Sequence, residues 1–190
     1  LLILKEGGKI MEEKERNIYF LDYVNNSSIK DIIKQIVEIN LYDNQQEEKV
    51  IEYERKPIKL FMSTCGGSML DMFSLYNHIK YSKTPVWIYI SGYCFSAGFL
   101  ILGAAKKRIA YKNTLLLAHQ ASVSLGYSTI QDQKEQVAII EKMQDNSEKI
   151  ILNDTKIPKK KLKEIREKKQ DWVIDVYEAK KLGVIDEIIE

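Results

Sequence analysis

Ser96 has the sequence surroundings that a nucleophile needs. It lies within the stretch Val86 to Ala105, VWIYISGYCFSAGFLILGAA. The first six residues, β-branched and aromatic after Pro85, read as a buried strand that stops at Gly92. From Ser96 onward small and apolar residues follow without a polar face, which predicts a helix buried on all sides as far as about Ala105. Lys106, Lys107 and Arg108 then stand where cations favour a helix C-terminus. A hydroxyl at such a corner can attack a carbonyl while the unpaired N–H groups of the first helical turn stabilise the oxyanion. The same position also suits a plain helix N-cap, and this stretch alone leaves both readings open.

A serine nucleophile needs a base, normally a histidine oriented by a third group. Only two histidines exist. His78 falls on the polar side of a helix over about Met69–Tyr81 and reads as a surface residue. His119 ends the apolar run Leu115-Leu116-Leu117-Ala118, at a strand end, where it is either a base or a structural hydrogen-bonder. Gly66-Gly67 closes the preceding strand and lets bare backbone approach a ligand. Asp171, ahead of the apolar Trp172-Val173-Ile174, reads by itself as a loop or cap aspartate, although that run could bury its carboxylate against an imidazole. Cys65 and Cys94 lack metal-ligand spacing and indicate no disulfide, and Cys94 reads as packing rather than as a thiol nucleophile.

The elements that must position these residues follow from periodicity. Asn17–Leu21 and Ile58–Ser63 read as strands, and Ser28-Ile29-Lys30-Asp31 as a capping box opening a helix with Ile29, Ile32, Ile33, Ile36 and Val37 on one face. Asp43–Pro57 reads as a solvated excursion with a ragged strand around Val50–Tyr53. Strand, glycine turn, helix and the strand at Val86 form a βαβ crossover, which predicts parallel pairing. Arg108–Tyr111 and Thr114–Ala118 are two further strands. Ser128-Thr129-Ile130-Gln131 opens a long helix to about Asp154, and Pro158 starts a lysine-rich helix with a solvated face. Asp175 caps a last short helix that Gly183 ends, before a closing strand over Val184–Ile189.

The 190 residues carry 29 basic and 27 acidic side chains, a net charge of +2 that gives no electrostatic reason to expect nucleic acid or an anionic membrane. No apolar run approaches a bilayer span, so a cytoplasmic protein is expected. Lys5-Glu6-Gly7-Gly8 ahead of Met11 reads as a translated ribosome-binding sequence, which would make Met11 the start and residues 1–10 a leader.

Taken together, Thr64-Cys65-Gly66-Gly67-Ser68, Gly92-Tyr93-Cys94-Phe95-Ser96-Ala97-Gly98, Leu117-Ala118-His119-Gln120, and Asp171 ahead of Glu178-Ala179…Gly183-Val184-Ile185-Asp186 resemble the proteolytic subunit of the caseinolytic Clp protease, ClpP. The resemblance is collinear from about Asn17 to Glu190. It implies an α/β fold of the ClpP/crotonase type, built of repeated β-β-α units with a mostly parallel sheet, in one domain over 17–190 after an N-terminal segment 1–16. The long helix, about 128–154, would protrude as a handle through which two rings meet. It implies a serine endopeptidase working through an acyl-enzyme, with Ser96 as nucleophile, His119 as general base and acid, Asp171 as the orienting carboxylate, and the backbone N–H groups of Gly67 and Ala97 as oxyanion donors. A substrate strand would lie along Ser68, Met69 and Ser122. Neither cofactor nor metal is implied.

The implied substrates are peptides or unfolded proteins, and the implied partners are copies of this chain in a ring, two stacked heptamers being one arrangement, and an AAA+ ATPase unfoldase. No G-x-x-x-x-G-K-[ST] motif occurs, so ATP would be the partner's. With only Met11–Arg16 ahead of the first strand, the entrance is expected to be open and coupling to an unfoldase weak. A phage-type capsid-processing protease and an inactive ring subunit are the alternatives. Cys94, where a G-x-S-x-G elbow needs glycine, disfavours a lipase or esterase.

Overall fold

The computed structural model describes residues 14–124 and 126–190. The suggested leader, its junction at Met11 and most of the N-terminal segment lie outside the described residues. In chain order the elements are β1 (Asn17–Phe20), α1 (Asn26–Glu47), β2 (Ile58–Thr64), α2 (Met69–Lys80) and β3 (Val86–Phe95). Next come α3 (Ala97–Ile101) with a 3₁₀ turn over Leu102–Ala104, β4 (Lys107–Tyr111), β5 (Leu115–Ala118) and α4 (Ile130–Asp154). The chain closes with α5 (Lys159–Lys168), β6 (Trp172–Asp175), α6 (Val176–Lys181) and β7 (Glu187–Ile189). The sheet runs β1-β2-β3-β4-β7, with β5 against β3 and β6 against β5. Every pairing is parallel except β5 with β6, so the expected α/β fold with a mostly parallel sheet is the one observed.

Side chains alternate along the central strands. Ile58, Leu60, Met62, Ile88 and Ile90 are fully buried in a core shared with Ile32, Ile36, Met72, Leu75 and Ile79 of α1 and α2. The opposite face has no such cover: Tyr19, Phe61 and Tyr89 stack in a row at 5.3 and 5.0 Å between ring centroids, and Tyr19 is exposed. The central strands are therefore half-buried and not enclosed on both faces as in most parallel sheets.

Several boundaries differ from expectation, each for a physical reason. Helix α1 starts earlier than Ser28, because Asn25 is the N-cap: its side chain accepts from the Ser28 N–H and Ser28 Oγ accepts from the Asn25 N–H. It also runs on through Glu47, into what reads as a solvated excursion. There Asp43, fully buried, takes both ends of the Arg16 guanidinium at 3.0 and 2.5 Å, the Thr84 hydroxyl at 2.5 Å and the Tyr53 hydroxyl at 2.6 Å. Polar residues hidden by tertiary pairing have the composition of a loop. Residues 50–53 form a turn and no strand. Val37, placed on the apolar face, is exposed. Lys107 and Arg108 belong to β4 and not to a helix end, with Arg108 paired to Asp186. The capping box of α4 is Thr129 with Asp132, one residue later than expected. Strand β7 is confined to Glu187–Ile189.

Helix α4 buries only Ser147 and Ile151, both toward its C-terminal end. Asp154 anchors that end to α2, accepting from Tyr76 Oη and Lys80 Nζ, each at 2.7 Å. The N-terminal half leaves Ile130, Val137 and Ile139 exposed. Among the described residues, no helix is long and apolar enough to cross a membrane.

Burial alone would raise the Asp43 carboxyl, but hydrogen bonds from Arg16, Thr84 and Tyr53 hold it below its ordinary 3.8. Its contribution is complete above the unfolded pKa and is lost as pH falls through the lower folded one. Asp43→Asn should leave the Arg16 charge uncompensated and lower the unfolding free energy at pH 7 by about 3 kcal/mol. In urea titrations the gap to the parent should narrow below about pH 4. A variant as stable as the parent at pH 7 would contradict this role.

Candidate active site

The site begins with a bend in β3. Met62 pairs with Ile90 and Thr64 with Cys94, so β3 carries two extra residues against β2 between those pairs. Gly92, at φ 87°, lies within this bulge. The expectation that the strand stops at Gly92 is corrected: glycine lets the strand bend and continue to Phe95. The two halves of β3 then face different neighbours, Trp87–Ile90 pairing with β4 and Tyr93–Phe95 with β5.

Ser96 follows at φ 54° and ψ −118°, a backbone conformation that costs a non-glycine residue about 1–3 kcal/mol. Its N–H donates to Leu117 O at 2.9 Å, which ties the corner to β5. Ser96 occupies the N-cap position, but its side chain makes no capping hydrogen bond. The N-cap alternative thus fails at the side chain, and the hydroxyl is not consumed by the helix. Helix α3 is five residues long, followed by a 3₁₀ turn, and not the continuous helix to Ala105. So short a helix has little macrodipole. What the corner offers an anion is the local Ala97 N–H, at the first helical position and therefore without an intrahelical acceptor.

Gly66 and Gly67 sit against this corner. Gly66 has φ 93°, and a Cβ there would lie 2.7 Å from Ser96 Cβ, 2.8 Å from Phe95 O and 2.9 Å from Ala97 N. Val24 takes the groups on either side of Gly67: its N–H donates to Gly66 O and its carbonyl accepts from Ser68 N, each at 2.8 Å. In such a parallel bridge the N–H of Gly67 itself points away from Val24. Ser68 caps α2: its hydroxyl accepts from Asp71 N at 3.3 Å and its carbonyl from Met72 N at 2.9 Å.

His119 immediately follows β5, and Asp171 immediately precedes β6. These strands are antiparallel, with Ala118 opposite Trp172, so the next pair of the same register is His119 with Asp171. Their contact is Nδ1 to Oδ1 at 3.3 Å. That is longer than the 2.7–2.9 Å or so of a tight charge-assisted hydrogen bond. Asp171 is 66% exposed, so the expected burial against the imidazole is not provided within this chain: Trp172–Ile174 is engaged in the ladder with β5.

A cavity of about 230 Å³ unites most of the predicted residues: Ser96, Ala97, Gly67, Met69, His119 and Ser122 line it. Ser68 and Asp171 are not among its lining. The sequence reading missed the contribution of α4, whose Gln144, Ser147 and Ile151 form one wall. The spacing of these positions, three and then four residues, is a helical stripe, but its mixed polarity hid it. Cys65 also lines the cavity and is exposed. Cys94 is fully buried, and burial pushes its thiol well above the ordinary thiol range, which leaves no thiolate for attack. His78 is exposed, its Nδ1 2.8 Å from Ser74 O within its own helix.

Residues 9–190 match the model of the family described as Clp protease. The chain belongs to the Clp protease family. It is 27% identical over 179 residues to the ATP-dependent Clp protease proteolytic subunit of Deinococcus radiodurans, covering 93% of this chain and 81% of that protein. With the ATP-dependent Clp protease proteolytic subunit 1 of Rhodococcus jostii it shares 24% identity, over 98% of this chain and 81% of the relative. Among solved structures, an asparagine-to-aspartate mutant of ClpP1 from Listeria monocytogenes superposes with a TM-score of 0.76 at 23% identity, covering 92% of this chain and 91% of that one. The fold is therefore that of ClpP, at a sequence distance that makes this chain a divergent member.

The close approach of Gly66 to the Ser96 corner is directly testable. Gly66→Ala should cost about 2–4 kcal/mol in a urea titration, from a left-handed backbone and sub-3 Å contacts together. Gly126→Ala, with nothing within 4 Å, should stay within about 0.5 kcal/mol of the parent. Equal behaviour of the two variants would show that the contact does not constrain the corner.

Proposed function

We propose that this Clp protease family member is a serine endopeptidase that cleaves peptides and unfolded proteins through an acyl-enzyme. Ser96 attacks the scissile carbonyl. His119 takes the hydroxyl proton and returns it to the leaving amine, while Asp171 holds the imidazole tautomer and faces the imidazolium. The N–H groups of Gly67 and Ala97 receive the oxyanion. A substrate strand lies along Ser68, Met69 and Ser122. Residues 17–190 work as one protease unit.

The observation that carries this reading is the pairing of an uncapped serine, held at φ 54°, with His119 on one cavity, the imidazole being 3.3 Å from a carboxylate. Exposed apolar side chains at two places, Tyr19 at the end of the aromatic row and Ile130, Val137 and Ile139 on α4, support assembly into a ring, with two rings meeting through α4. The ATP dependence in the relatives' names is theirs; here it would require a separate ATPase, since the chain has no phosphate-cradling motif. A second reading, a ring subunit without turnover, is favoured by the exposure of Asp171 and its long contact to His119.

Fluorophosphonate labelling followed by sedimentation of the labelled species separates these readings. The parent should be labelled in an oligomer far larger than the 22.1 kDa chain, and Ser96→Ala should not be labelled. Ser96→Ala and His119→Ala should each lower peptide turnover by about 10⁴-fold or more, with little further loss in the double variant. A parent that binds no fluorophosphonate, or one that is labelled as a monomer, would overturn the corresponding part of the proposal.

A further inference from the structure

His119 stands at the end of its ladder, and among the described residues, 120–124 and 126–129 have no regular structure. Ala121 and Ser122 of that segment line the cavity. An irregular segment must find partners for its backbone groups outside the sheet, or it is not held. Among the described residues, 120–124 make one hydrogen bond: the Ala121 N–H donates to Gln144 Oε1 of α4 at 2.8 Å.

The Gln144 side chain is itself held. Its amide nitrogen donates to Glu148 Oε1 at 3.2 Å, so the oxygen is the end left to face Ala121. Glu148 Oε1 also accepts from Arg166 Nη1 of α5 at 3.3 Å, and the same Nη1 donates to Asp145 at 3.0 Å. The chain from Arg166 leads within a few residues to Asp171, which faces His119. A continuous set of polar contacts therefore runs from the segment after His119, through one face of α4, to the helix that precedes Asp171. Gln144 is the link of that set that touches the His119 segment.

We infer that Gln144 is a positioning residue for the reaction: by holding the Ala121 N–H it fixes the chain that leaves His119, and with it the imidazole relative to Ser96. The inference rests on the assignment of Ser96 and His119 made above. The acceptor oxygen is what matters, so the amide can be exchanged for a carboxylate when residue 148 supplies the donor, but not for an apolar isostere. Misplacing a catalytic group by a fraction of an ångström to an ångström lowers turnover and not merely binding.

The test compares Gln144→Met, which keeps the length and loses the acceptor, with the double variant Gln144→Glu/Glu148→Gln, which keeps the acceptor and restores a donor opposite it. Gln144→Met should lower both the fluorophosphonate labelling rate and kcat about tenfold with an unchanged unfolding midpoint, while the double variant should stay within about threefold of the parent. Labelling at the parent rate in Gln144→Met, or an equal loss in both variants, would overturn the inference. Should Gln144→Met not fold, amide hydrogen exchange on the parent decides: the Ala121 N–H should be protected relative to those of Ser122, Val123 and Ser124, and an Ala121 exchanging as fast as they do would overturn it. A parent that takes up no fluorophosphonate would sink the proposed activity instead, and the exchange contrast would still test the hydrogen bond.

Discussion

Two extra residues in β3 at Gly92 are the constraint on which the site depends. Without the bend β3 would continue alongside β4, and the residue after Phe95 would have no reason to meet β5. With it, Phe95 pairs with Leu117, the Ser96 N–H closes on Leu117 O, and the corner residue is forced into a left-handed conformation beside the end of β5. Register then does the rest: β5 ends at Ala118, β6 begins at Trp172 opposite it, and His119 and Asp171 fall into place as the next pair. Ser96 is thus held by a parallel ladder and the His119–Asp171 contact by an antiparallel one, and β5 belongs to both.

Close packing and electrostatics divide the work unequally. The Ser96 corner is over-determined, its own atoms occupying the space that a side chain on Gly66 would need. His119 and Asp171 are less constrained, at 30% and 66% side-chain exposure and 3.3 Å apart. Water screens an ion contact of that kind, so its strength depends on what covers it. The exposed apolar positions on α4 and Tyr19 at the end of the aromatic row are the surfaces that the proposed ring would cover.

Much of this was legible in the sequence, because the residues concerned are ones that physics restricts. The βαβ order, the glycine pair, a serine at a strand end, the histidine closing an apolar strand and the Asp175 cap each leave a local mark. What was hidden was tertiary. Asp43 and Gln46 look like loop residues until Arg16, Thr84 and Tyr53 are seen to satisfy Asp43. Gly92 looks like a stop because a bulge and a terminus use the same residue. Trp172–Ile174 could serve equally as cover for Asp171, because three residues carry too little pattern to announce an antiparallel strand. The wall formed by Gln144, Ser147 and Ile151 is mixed in polarity, and only the fold reveals that this end of α4 faces the cavity.

The central claim is that Ser96 and His119 act as one unit at a single cavity. A peptide chloromethyl ketone, which alkylates an imidazole after a neighbouring serine has captured its carbonyl, reads that geometry in a single experiment. Mass-spectrometric mapping should find the label on His119, the hemiketal to Ser96 reverting on denaturation, and the Ser96→Ala variant should lose the modification at His119. Label confined to the exposed thiol of Cys65, which lines the same cavity, or modification of His119 that persists in Ser96→Ala, would contradict the account.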